Sequence, residues 1–456
     1  MKVDGSRNYI IPADVPGRWI RLRRLGFVAL IGFYVLAPFI PMGGHPMVQL
    51  DVAGRRFFLF GQTFNAQDFW MVLLLLLTFA FGLLLVTAWR GRVWCGWGCP
   101  QTVFLEGVYR PIERFFEGPR EKRLRQANEP WTGERVLRRV AKLTAFLLVS
   151  MVIAHTATAI FVSPRELWLM IAEGPGTHLE AFSLTTGFTA ILMFNFTWFR
   201  EQFCVVLCPY GRLQSVLHDR DSVTVAYAEK RGEPRGKAHK TLETGAPKVG
   251  DCVDCRKCVN VCPTGIDIRN GLQMECLACN QCIDACDEVM VKLNRPTGLV
   301  GFASQTELSG GARRVVRPRL MVYGALMLLS AGTLGVSLVN RTPFEANVFR
   351  QHGTNPFVVD GEVVRNAFEV HVTNKNPAEA RFSLALTAPV SGAEISVGTP
   401  TIELKSLTDA HVPVMVSIPT SSLSMTPVEL TLTVKDETNG SQRVIPVRFM
   451  APPMHH

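Results

Sequence analysis

C-V-D-C-R-K-C-V-N-V-C-P, residues 252–263, and C-L-A-C-N-Q-C-I-D-A-C, residues 276–286, decide how this chain is read. Cys252, Cys255, Cys258 and Cys262 follow C-x2-C-x2-C-x3-C, and Cys276, Cys279, Cys282 and Cys286 repeat that spacing after an interval of 13 residues. An iron–sulfur cube takes three thiolates from a tight loop and a fourth from further off. In two-cluster ferredoxins the fourth cysteine of each run serves the other cluster. The spacing therefore predicts one [4Fe-4S] cluster on Cys252, Cys255, Cys258 and Cys286, and a second on Cys276, Cys279, Cys282 and Cys262. A zinc ribbon would use paired CxxC knuckles rather than triplets with a trailing cysteine. Asp287 follows the second run where Pro263 follows the first, a difference that touches loop shape and not ligation.

Outward from this stretch the chain changes character. Its 456 residues have room for several domains, and its mean hydropathy is positive. All 12 cysteines fall between Cys95 and Cys286. Reduced thiolates belong on the cytosolic side, whereas a cysteine-free tail suits either compartment. The net charge of +10 belongs to lysines and arginines beside apolar runs, a membrane pattern rather than a nucleic-acid one. Neither a Rossmann fingerprint nor a P-loop occurs.

Five apolar runs are long enough to span a bilayer, which takes about 20 residues. They begin at Leu25, Phe69, Leu143, about Ala181, and Leu320. Arg18, Arg21, Arg23 and Arg24 precede the first, which lacks a small-residue cleavage site and reads as an uncleaved anchor. Lysine and arginine alternate in the loops: 6 in residues 1–24, 2 after the first span, 12 in residues 90–142, and 1 (Arg165) after the third. The positive-inside rule then sets the N-terminus and the cysteine runs in the cytoplasm, and the C-terminus outside. His155 and Asn195 lie within spans, and the role of His155 is left open. Residues 219–251 and 287–318 read as solvated connectors.

Beyond Asn340 apolar residues alternate: Phe368, Val370, Val372; Phe382, Leu384, Leu386; Val412, Val414, Val416; Leu430, Leu432, Val434. Period two over short segments predicts an antiparallel β-sandwich, Ig-like in architecture only because the Cys…Trp…Cys signature is missing. Met454, His455 and His456 read as an exposed tail rather than a metal site.

The four remaining cysteines form two C-x3-C-P motifs, Cys95/Cys99/Pro100 and Cys204/Cys208/Pro209, each after an even-numbered span. The i, i+4 spacing predicts both thiols of a pair on one helical face. The repeat suggests a duplicated two-helix unit that gathers four thiols at one membrane depth. Such a set suits copper, zinc, a third cluster or two redox dithiols. Buried structural cysteine is the plainer alternative. Trp94, Trp97 and Phe203 flank the thiols and read as interfacial-belt aromatics rather than an electron path.

The expected fold is a multi-domain membrane protein with an α-helical bundle of about five spans, a cytoplasmic α+β two-cluster ferredoxin-type insert and a C-terminal Ig-like β-sandwich. The expected divisions are 1–24, a cytoplasmic N-terminus; 25–218, four spans with both CxxxCP motifs; 219–318, linker and ferredoxin module with its core at 245–295; 319–340, the fifth span; and 341–456, the β-sandwich.

This order of parts resembles the FixG/CcoG (also RdxA) family of membrane polyferredoxins, accessory proteins of cbb3-type cytochrome c oxidase assembly. V-A-Y-A-E-K-R-G-E-P-R-G, residues 225–236, is similar to a segment the family carries before its ferredoxin insert. The resemblance covers nearly the whole chain. It implies the eight cluster ligands named above, and reduction of Cu(II) to Cu(I) for the oxidase copper site, a cupric reductase. It also implies a bacterial inner membrane, a periplasmic C-terminal domain, and the oxidase or its copper-delivery proteins as partners. The electron donor stays unassigned. Two other readings compete: an electron-transfer subunit of a quinol-linked respiratory reductase, and a non-redox copper-binding scaffold.

Overall fold

The computed structural model describes residues 9–65, 68–127, 129–236, 250–351, 355–376, 378–387, 391–398, 401–423 and 427–452. The tail of Met454, His455 and His456 lies outside them. The chain divides into two compact units, residues 1–40 with 72–333, and residues 41–71 with 334–456.

Among the described residues, five helices are long and apolar enough to cross a membrane: Arg18–Phe39, Phe69–Arg90, Gly133–Val162, Leu179–Phe199 and Pro318–Val339. We label them α1 to α5 in that order. Leucine, phenylalanine and valine fill them, and most of these side chains face outward, which only lipid tolerates. α1 begins seven residues before the apolar run does, so its arginines are helical. Arg23 is not a free juxtamembrane charge: it is buried, donates to the Gly96 carbonyl at 2.7 Å and faces Glu106 at 3.9 Å.

The cysteine runs fold into a small α+β module. Helix Gln281–Lys292 packs behind the second run, and strand Thr224–Tyr227 pairs antiparallel with Val300–Ala303. Val225, Tyr227, Leu299 and Val300 are buried in the module's core with Ile268 and Met290. The two connectors therefore contribute core strands and are not wholly solvated linker. Their apolar residues are few and far apart in sequence, so only the pairing reveals them.

The module is anchored to α1. The Asp284 carboxylate accepts from the backbone N–H groups of Trp19 and Ile20 at 3.3 and 2.9 Å, beside the positive N-terminal end of the helix. Elsewhere the buried pair Glu113–Arg200, with contacts of 2.6 and 3.0 Å, ties helix Arg110–Glu117 to the residue that follows α4.

In the second unit two antiparallel sheets face each other. We number the strands β1 Phe344–Arg350, β2 Val358–Asp360, β3 Val363–Asn374, β4 Ala380–Thr387, β5 Glu394–Val397, β6 Thr401–Leu404, β7 Asp409–Pro419, β8 Val428–Asp436 and β9 Gln442–Phe449. One sheet runs β5-β7-β3-β1, with β2 also on β3, and the other β6-β4-β8-β9. Phe368, Val370, Val372, Val414, Leu432 and Phe449 fill the core. Each such side chain contributes about 1.5–3 kcal/mol by leaving water. Residues 41–71, which carry a separate three-stranded sheet of Val48–Asp51, Arg56–Leu59 and Gln62–Phe64, group with this unit. Asp68 joins them to the sandwich through Arg341 at 2.7 Å and Lys375 at 3.1 Å. That link spans over 270 residues and has no local signature in the sequence.

Candidate iron–sulfur centres

The two cysteine runs adopt matching backbones. Asp254 and Arg256 in the first have φ of 51° and 55°, and Ala278 and Asn280 in the second have φ of 50° and 65°. These are the same two positions after each leading cysteine. A non-glycine residue held there costs on the order of 1–3 kcal/mol. Such turns point successive backbone N–H groups inward and make a concavity suited to an anionic group.

Cys252, Cys255, Cys258 and Cys286 line one cavity with Tyr227, Met290 and Val300. Cys262, Cys276, Cys279 and Cys282 line a second with Val225 and Ile268, and Cys258 sits on its wall as well. The two cavities thus adjoin. Burial pushes the Cys258 and Cys276 thiols up to about 11, and those of Cys279 and Cys286 up to about 12. A bound metal centre would supply the positive charge that keeps such thiolates ionised.

At the CxxxCP motifs the structure departs from the single-face expectation. Cys95 lies in the short helix Val93–Trp97, but Cys99 is the N-cap of the next helix, Pro100–Phe104. Cys204 lies in a π-turn, Phe203–Leu207, and Cys208 is the N-cap of Pro209–Leu217. Proline forces the preceding residue out of helical geometry. Cys99 and Cys208 accordingly have ψ of 125° and 114°. The two motifs match in this break, which supports a duplicated unit.

All four thiols gather. Burial pushes Cys95 up to about 11 and Cys204 up to about 12, and in both cases neighbouring cysteines of the set add to the rise. Arg92 opposes the rise at both. Gln214 donates to the Cys95 sulfur at 3.5 Å. Among the described residues, the only three potential ligand atoms within 4.8 Å of one another belong to His371, Asp409 and His411. None of the cysteine sets closes that far.

The motifs and the module touch. The Trp97 indole donates to the Ala278 carbonyl at 3.2 Å, so Trp97 is an interface residue and not a belt aromatic. Arg110 donates to the Pro263 carbonyl at 3.2 Å. Sequence reading missed Arg23, Arg92, Arg110 and Gln214. A basic or amide residue beside a cysteine motif was the one available signal, and it reads equally as membrane-flanking charge. His155, whose role the sequence left open, lines an apolar cavity of about 380 Å³ with His178, Met151 and Met170.

Residues 199–305 match a family model described as a 4Fe-4S dicluster domain, and residues 72–119 match one described as a 4Fe-4S binding domain. Residues 334–452 match the Ig-like fold at the C-terminal of FixG. Spanning helices, paired cysteine runs and these matches define a membrane-bound iron–sulfur electron-transfer protein. The chain is 36% identical to Protein RdxA of Cereibacter sphaeroides over 83% of this chain and 82% of that protein. It is 35% identical to nitrogen fixation protein FixG of Rhizobium meliloti over 84% of this chain and 79% of that protein. It is also 24% identical to the ferredoxin-type protein NapH of Escherichia coli, over 43% of this chain and 60% of that protein. The chain belongs to the FixG/RdxA family.

Proposed function

We propose that this protein reduces Cu(II) to Cu(I) for the copper site of a cbb3-type cytochrome c oxidase. Each copper ion takes one electron, drawn from a one-electron reductant on the side of the ferredoxin-type module. Iron–sulfur clusters, when bound, supply one-electron transfer over a wide range of potentials. The chain's own part is placement. Cys252, Cys255, Cys258 and Cys286 form one ligand set, and Cys262, Cys276, Cys279 and Cys282 the other. Cys95, Cys99, Cys204 and Cys208 form a third set, for copper or a third cluster. The observation that carries the reading is contiguity: Cys258 borders both module cavities, and the first CxxxCP motif packs on the second run through Trp97 and Ala278.

The loop charges support an inner-membrane protein with a cytoplasmic N-terminus and ferredoxin-type module and a periplasmic C-terminal domain. The partners are then the oxidase or its copper-delivery proteins. Dithionite-reduced protein, freed of excess reductant, is mixed anaerobically with Cu(II) and a Cu(I)-specific chelator. Stoichiometric Cu(I) supports the reading, and none sinks it.

A second reading, electron transfer linked to quinol, is favoured by the apolar cavity beside His155 and His178, whose size is ordinary for a small-molecule site. Oxidation of a soluble quinol by the purified protein, with no copper reduction, selects it.

A further inference from the structure

We infer that the outer face of the C-terminal β-sandwich carries a binding site for a divalent transition-metal cation, with His371, Asp409 and His411 as ligands and Glu369 as the positioning residue of His411. Residues of β3 and β7 alternate between core and surface. Val370 and Val372 point into the core, as do Val412 and Val414. The intervening positions Glu369, His371, Asp409 and His411 therefore share the opposite face. The register sets His371 directly across from His411.

The donor atoms already converge. His371 Nε2 lies 2.8 Å from Asp409 Oδ2, and His411 Nε2 lies 4.0 Å from the same oxygen. The two imidazoles stack with centroids 4.2 Å apart. On its other side the His411 ring places Nδ1 3.0 Å from Glu369 Oε1. A carboxylate there holds the proton on Nδ1 and leaves Nε2 free for a metal, the arrangement that orients histidine ligands in metal sites.

Two imidazoles and a carboxylate suit Cu(II), Zn(II) or Ni(II) rather than Ca(II), Mg(II) or the thiolate-loving Cu(I). Asp409 and His411 are about half exposed, at 52% and 55%, so the remaining coordination positions open to solvent. The site does not depend on the copper-reducing reading: a chain that reduced no copper would still hold a cation here. Its sequence signature is two acid-x-histidine triplets, E-V-H at 369–371 and D-A-H at 409–411, joined only by strand pairing.

The test is Cu(II) titration of the full-length, detergent-solubilised protein with its iron centres oxidised, read by electron paramagnetic resonance. The wild type should bind one Cu(II) with hyperfine splitting from two imidazole nitrogens. The double variant His371→Ala, His411→Ala should lose that signal while keeping its thermal midpoint. Glu369→Gln should keep the two-nitrogen signature at saturation but bind roughly 10–100-fold more weakly. An unchanged spectrum and titration in the double variant overturns the site, as does wild-type binding only at millimolar copper.

Discussion

Gly96 of the first CxxxCP motif faces Leu277 of the second cysteine run so closely that an added Cβ would lie 2.4 Å from the Leu277 carbonyl oxygen. Both partners are backbone, so neither yields by changing rotamer. Gly96→Ala should therefore separate the motif from the module and cost about 1–3 kcal/mol, as overpacking does. A thermal midpoint measured in detergent checks this. Gly187→Ala, where nothing lies within 4 Å, should leave the midpoint unchanged or raised.

Cys255→Ser should remove one cluster, about four irons per chain, and leave the second signal in the reduced spectrum. Iron content equal to wild type would remove Cys255 from the ligand set.

Cys99→Ser combined with Cys208→Ser tests the third set. Wild-type protein purified without oxygen should hold about twelve irons, and the double variant about eight, with both module signals retained. A wild-type content of about eight would leave the CxxxCP thiols without a cube. Copper reduction by the double variant at the wild-type rate would place that chemistry elsewhere.

Burial alone would raise the Glu113 carboxyl, but Arg200 beside it holds it at about 2, below its ordinary 4.5. The stability this carboxylate contributes is full above pH 4.5 and is lost as pH falls from there toward 2. Glu113→Gln should destabilise the protein by up to about 3–5 kcal/mol at neutral pH, because buried Arg200 loses its closest charge partner and keeps Glu201 at 3.6 Å. The gap between wild-type and variant midpoints should then narrow on acidification below pH 4.5. A gap constant down to pH 3 would mean that the Glu113 carboxyl is not held below its ordinary range.

Much of the architecture was legible before any coordinates. Span lengths, the paired cysteine runs and the period-two segments are local patterns, set by bilayer thickness, loop geometry and strand pleat. Leu25, Phe69 and Leu320 fall within helices that the apolar runs announced. Phe368, Val370 and Val372 lie in the sandwich core as their alternation implied. The one-face reading of Cys95 and Cys99 failed for a reason also present in the sequence: Pro100 breaks the helix between them.

By itself, then, the amino-acid order determined the kinds of element and the chemistry each brings: thiolates in cluster spacing, apolar spans and a two-faced β unit. Only the tertiary structure decided which groups meet. Trp97 reaches Ala278, Asp284 holds the start of α1, residues 41–71 join the sandwich, and His371 lies across from His411. The reason is physical. Local pattern reports how a segment satisfies its own backbone and hides its own apolar face. A contact between residues tens or hundreds apart depends on how those finished segments pack.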